Sequence, residues 1–142
     1  MKNTTDLETV EQERVVEHLK ELLDKGDILN FSALPLSTYT KSWSQKRKNK
    51  SQGVRKGVPD LLVIHKNGQL YIELKRKKGG NTSTEQKRWI AQLNETGAIA
   101  VVCKGSDEAI AVINEVVSCE YEHYEVETFT DYLLKKQNKW KV

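Results

Sequence analysis

The sequence predicts an α/β domain in which helices flank a central mixed sheet, and three observations carry that expectation. Apolar residues recur at helical spacing over about Leu7–Asp24 and again over Ser106–Val117. Two strand-length runs, Pro59–His65 and Gln69–Lys75, meet at Asn67-Gly68, the strongest short-range signal for a hairpin. A further buried-strand run, Ala98–Cys103, lies between two helical patterns. The resulting order, αβββαβα, suits one sheet covered by helices.

Each element has its own warrant. In the first helix Val15, Val16, Leu19, Leu22 and Leu23 form the apolar stripe, and Gly26 is a natural stop. Ile28 to Leu34 reads as a short strand ending before Pro35. The polar stretch 36–57 is too long and too basic for an ordinary connector, and connections of this length are usually functional or disordered. After the hairpin, Thr82-Ser83-Thr84-Glu85-Gln86 reads as a capping box opening a helix to about Glu95, and Gly97 ends it. The last helix buries Ala109, Ile110, Val112, Ile113 and Val116. Residues 118–142 read as one short helix near Phe129–Lys136 followed by a basic tail. With no repeat and no linker, the 142 residues are expected to form a single domain, its core spanning about 8–117.

Composition narrows the class. With 37% hydrophobic and 30% charged residues the chain is globular rather than disordered. No apolar run approaches the roughly 20 residues that span a bilayer, and Met1-Lys2-Asn3-Thr4-Thr5 does not open a signal peptide, so a cytoplasmic protein is expected. Cys103 and Cys119 form no CxxC pair and the three histidines are scattered, which argues against zinc. The net charge of +3 hides a segregation: 41–56 holds seven Lys or Arg and no acid, whereas 105–134 holds eight acids and no Lys or Arg. One basic face points to a polyanionic partner.

The hairpin gathers the chemistry. Alternation along the second strand turns Leu70, Ile72 and Leu74 to the core and Tyr71, Glu73 and Lys75 to the other face. A turn centred on Asn67-Gly68 pairs Lys66 with Gln69, which puts Asp60 opposite Lys75 and makes Glu73 its diagonal neighbour. Two carboxylates and a lysine so placed suit phosphodiester hydrolysis. Carboxylates hold a divalent cation that neutralises the phosphate and activates water, and the ammonium serves that water or the developing charge. A surface ion pair at Glu73 and Lys75, and a plain turn at Pro59-Asp60, are the competing readings.

Gly57-Val58-Pro59-Asp60-Leu61-Leu62, then Tyr71-Ile72-Glu73-Leu74-Lys75-Arg76, then Ser83-Thr84-Glu85-Gln86 resemble the VRR-type (virus-type replication–repair) nucleases of the PD-(D/E)xK superfamily. The resemblance runs from about Glu8 to Val117. It implies a restriction-endonuclease-like fold, with Mg²⁺ or Mn²⁺ held by Asp60, Glu73 and the Leu74 carbonyl. It also implies an acid on the first helix. The apolar face of that helix passes through Glu8 and Gln12, which favours Glu8, with Glu11 as the alternative. Gln86 is implied to orient Lys75 or the phosphate, with helix capping as the competing reading.

The resemblance further implies a stand-alone phage or bacterial endonuclease acting on DNA, preferring branched or junction structures in recombination or repair. Symmetric cutting of two strands would call for a homodimer. Tyr39, Lys41, Trp43, Lys46, Arg47, Lys48, Lys50, Arg55 and Lys56 in the basic stretch, with Arg76, Lys77 and Lys78 after the second hairpin strand, are the expected DNA contacts. A non-catalytic DNA-binding module, and a nuclease for RNA or for DNA of any structure, are the alternatives.

Overall fold

The computed structural model describes residues 4–34 and 42–119, with side chains from Thr9 onward. The described elements run α1 (Thr4–Lys25), β1 (Asn30–Ala33), α2 (Trp43–Ser51), β2 (Leu61–His65), β3 (Gly68–Lys75), α3 (Thr84–Glu95), β4 (Ile99–Lys104) and α4 (Ser106–Ser118). The expected order therefore gains one helix, α2, inside the basic stretch. Ser42 explains its start, because its side chain accepts from the Gln45 N–H. Gln, Lys and Arg then extend it by propensity, and it buries no residue.

The strands lie in the order β1-β2-β3-β4. β1, β2 and β3 pair antiparallel, and β3 pairs parallel to β4, so the sheet is mixed as the sequence predicts. Leu61, Val63, Leu70, Ile72, Leu74, Ile99, Val101 and Cys103 line one face and pack with Val15, Leu19 and Leu22 of α1 and with Ala109, Val112, Ile113 and Val116 of α4. Each of the Val, Leu and Ile side chains contributes about 1.5–3 kcal/mol on burial. The opposite face carries Tyr71, Glu73, Lys75 and Ala100. There α3 lies across it, burying Ile90 and clamping Ala100 with Asn94, whose amide accepts from Ala100 N (2.8 Å) and donates to Ala100 O (3.0 Å).

The hairpin register corrects one expectation. His65 pairs with Gly68 and Leu61 with Ile72, so the two-residue turn is Lys66-Asn67 rather than Asn67-Gly68. The Asn67 N–H donates to His65 Nδ1 (3.2 Å), and Gly68 supplies the positive φ of 141° beside the turn. The shift is two residues in register, which keeps every side chain on its expected face.

His65 closes the core face of β2 and is 3% exposed. Burial drives its pKa down to about 4. Below the ordinary histidine value of about 6.5, the unfolded chain takes up a proton that the folded chain refuses until pH reaches about 4. Stability tied to His65 is thus intact above about 6.5 and lost as pH falls between those values. Melting temperature followed from pH 7 to pH 4 should decline for the native chain. His65→Leu should flatten that slope, and an unchanged slope would show the titration lies elsewhere.

Candidate active site

Asp60 sits one residue before β2, and continuing the β2–β3 register places it directly opposite Glu73. Lys75 is then its diagonal neighbour, the reverse of the expected assignment. Two hydrogen bonds fix Asp60 there, after the buried Pro59: the Asp60 carbonyl accepts from Leu34 N (2.8 Å), and Asp60 Oδ2 accepts from Leu74 N (2.8 Å). In an extended strand the N–H and C=O of one residue point to the same side. The Leu74 carbonyl therefore lies along the edge of β3 that Asp60 faces.

Glu73 is 3% exposed, which is costly for a carboxylate without charged or polar company. It has that company. Lys75 Nζ lies 3.3 Å from Glu73 Oε1, and Gln86 Nε2 donates to the same oxygen at 2.7 Å. Gln86 Oε1 accepts from Lys75 Nζ (3.0 Å) and from Ser83 N (2.8 Å). Gln86 N in turn donates to Ser83 Oγ (3.1 Å), completing a capping box at the start of α3. Capping and contact with Lys75 are thus one arrangement, not alternatives: the cap locks the amide that spans both charged side chains.

Gly57 brings α3 to this place. Its φ is +92°, and a Cβ there would stand 2.6 Å from the Glu85 carbonyl carbon and 2.8 Å from Gln86 N. The chain entering β2 thus presses directly on the backbone that carries Gln86. At the sheet's end, Gly105 N donates to Lys75 O (2.7 Å), fixing the start of α4 to the end of β3.

The family model of the VRR-NUC domain matches residues 3–107, well over half of the chain's length. The chain belongs to the VRR-NUC family. A solved structure described as a VRR_NUC domain protein is 28% identical, with a TM-score of 0.63, covering 81% of this chain and 89% of that one. No curated protein matches. The VRR-NUC domain is a nuclease domain of the PD-(D/E)xK type, and the mixed sheet flanked by helices agrees with the solved relative.

Within this VRR-NUC domain Asp60, Glu73, Lys75 and Gln86 come together as described. Their oxygen donors suit a hard divalent cation, since facing carboxylates and a backbone carbonyl are the ligands such ions take. Among the described residues no group of three His, Cys, Asp or Glu side chains gathers for a metal. The Glu8 side chain lies outside the described residues. The alternative, Glu11, is engaged elsewhere: its Oε2 accepts from Ser106 N, and hydrogen bonding from the Ser106 side chain and then its backbone holds the carboxyl below the usual carboxylate range. α4 starts at Gly105 without a side-chain cap of its own, and Glu11 fills that role from α1. Its partner stands 95 positions away, so no local pattern announced it.

The expected DNA contacts divide. Tyr39 and Lys41 lie outside the described residues. Trp43, Lys46, Arg47, Lys48 and Lys50 occupy the exposed helix α2, where Lys46 Nζ stacks 4.8 Å from the Trp43 ring centroid. Arg55 and Lys56 are exposed just before Gly57. Arg76 donates to the Gly79 carbonyl, Lys77 pairs with Asp107 at 3.5 Å, and Lys78 is exposed. No described helix is long and apolar enough to cross a membrane.

Proposed function

We propose that this chain is a Mg²⁺- or Mn²⁺-dependent endodeoxyribonuclease, with Asp60, Glu73, the Leu74 carbonyl and Glu8 holding the metal and Lys75 serving the attacking water. The observation that carries the reading is the part-buried cluster of Lys75 and Gln86 around the buried Glu73, with Asp60 hydrogen-bonded to the same strand. A divalent ion, when bound, supplies charge neutralisation at the phosphate and a more acidic water.

The protein's own groups do the rest. Glu73 keeps Lys75 within reach by the 3.3 Å ion pair, so the ammonium stays at the site instead of roaming in solvent. From there it orients the water or steadies charge on the phosphate oxygens. Gln86 is a positioning residue, holding Lys75 through its oxygen and Glu73 through its nitrogen. Support for Glu8 comes from α1: Glu11 meets Ser106, beside the Gly105 that bonds Lys75 O. Glu8 precedes Glu11 by about one helical turn on the same helix.

Replacing Gln86 by leucine should cut turnover by about 10- to 100-fold with a smaller change in KM, because supporting groups of this kind usually matter to that extent. Gln86→Glu should do worse than leucine, since it sets a second carboxylate against Glu73. Equal activity in all three forms would remove Gln86 from the mechanism.

The branched-DNA preference, the phage or bacterial recombination and repair setting, the cytoplasmic location and a homodimer belong to the same proposal and rest on the family resemblance. A substrate panel tests it: four-way junctions, flaps, nicked duplex, single strands and RNA, each with Mg²⁺, Mn²⁺ or EDTA. Cleavage of branched DNA in either metal and none in EDTA is expected. Binding without cutting in both metals would make the chain a DNA-binding module instead.

A further inference from the structure

Beside the active site runs a groove of about 940 Å³ that the reaction does not use. One wall is the segment from Lys50 to Lys56, the other a stripe of α3 formed by Glu85, Arg88, Trp89 and Gln92. Those four positions follow the i, i+3, i+4, i+7 spacing of a single helix face. The large apolar residues of α3 are Trp89, Ile90 and Leu93. Only Ile90 of these is buried, and Trp89 is partly exposed. Its indole N–H donates to the Lys56 carbonyl (2.9 Å), which fixes the ring as part of the groove.

The charge is one-sided: Lys50, Arg55, Lys56 and Arg88 against Glu85 alone. The groove also abuts the chemistry. Glu85 lines it, and the next residue, Gln86, touches both Glu73 and Lys75. Gly57, at the end of the Lys50–Lys56 wall, packs on the backbone at that same point.

We propose that this groove holds a single-stranded stretch of the DNA substrate next to the scissile phosphate, with Arg88 on its backbone and Trp89 against a base. The inference rests on the nuclease reading above and narrows it to substrates in which single strand adjoins the cut. Cations along a groove with an aromatic ring in its wall form the arrangement that binds single strands, because a backbone is tracked while a base finds a flat partner. A duplex keeps its bases stacked inside and offers no free base to Trp89. Arg88 and Trp89 are absent from the DNA contacts expected from sequence.

Metal-free binding separates this from cleavage. Fluorescence anisotropy in EDTA compares the full chain on a blunt duplex and on the same duplex carrying an oligothymidylate tail, over a range of salt. The tail should raise affinity. Arg88→Gln, a change on an exposed helix surface, should remove that gain on the order of tenfold and reduce the salt slope for tailed DNA by about 0.7, the value for one single-strand phosphate contact. Affinity for the blunt duplex should hold. Trp89→Leu should lose the gain for the tail, and Trp89→Phe, which keeps a ring, should retain most of it. If Arg88→Gln weakens blunt and tailed DNA equally, or neither, the single-strand assignment is wrong. Absence of cleavage in every metal would overturn the nuclease reading alone.

Discussion

Lys75→Ala should lower DNA cleavage on the order of a thousandfold, the scale on which positioned proton-transfer or charge-stabilising groups act, while DNA binding survives. Lys75 Nζ is held between Glu73 Oε1 and Gln86 Oε1, with its side chain 12% exposed, so no neighbouring lysine can substitute by reaching in from solvent. Binding survives because the exposed cations of α2, Arg55 and Lys56 are untouched. Lys75→Arg is not a rescue: its planar guanidinium cannot repeat a compact ammonium's contacts between a carboxylate and an amide. Cleavage is read on the preferred substrate with Mg²⁺, binding by gel shift in EDTA, and folding by circular dichroism. Normal cutting by a folded Lys75→Ala chain would end the assignment.

Gly57→Ala should carry the largest stability cost of any glycine-to-alanine change in the described chain. Two effects add. At φ +92° a side chain is strained by roughly 1–2 kcal/mol, and the new carbon would stand 2.6 Å from the backbone of Glu85. Backbone cannot swing away as a side-chain tip can, so the start of α3 must move. Gly53→Ala isolates the first effect, because Gly53 has φ +87° but open space around its missing carbon. Thermal melts should show Gly57→Ala several degrees below Gly53→Ala, where about 1 kcal/mol corresponds to a few degrees at this size. Cleavage should fall too, since the displaced backbone carries Gln86. Equal melting temperatures for the two variants would mean the close approach at Gly57 relaxes without cost.

The grouping of the candidate residues was legible in the sequence because strand parity tolerates error. The expected turn was misplaced by one residue, but a slip of two in register leaves Asp60, Glu73 and Lys75 on one face. What changed was the pairing within the trio, which hydrophobic alternation cannot report because both registers align apolar residues. The capping box at Ser83 likewise placed Gln86. Helix α2 escaped because it has no apolar face for periodicity to find, although Ser42-Trp43-Ser44-Gln45 carries the same spacing of cap and amide as Ser83 to Gln86. The role of Glu11 and the Gly57 contact were invisible for a different reason. Both depend on partners distant along the chain, Ser106 and Glu85.

Asn94 has a consequence for how two copies of the chain could meet. β4 is an outer strand of the described sheet, and outer strands invite pairing with a second molecule. By occupying both the N–H and the C=O of Ala100, the Asn94 amide stands where a neighbouring strand would have to lie. A twofold assembly that extends the sheet across β4 would forfeit both bonds and displace the end of α3. If cutting both strands of a duplex requires a pair of chains, their symmetry axis passes elsewhere, and that surface sets the stagger between the two cuts.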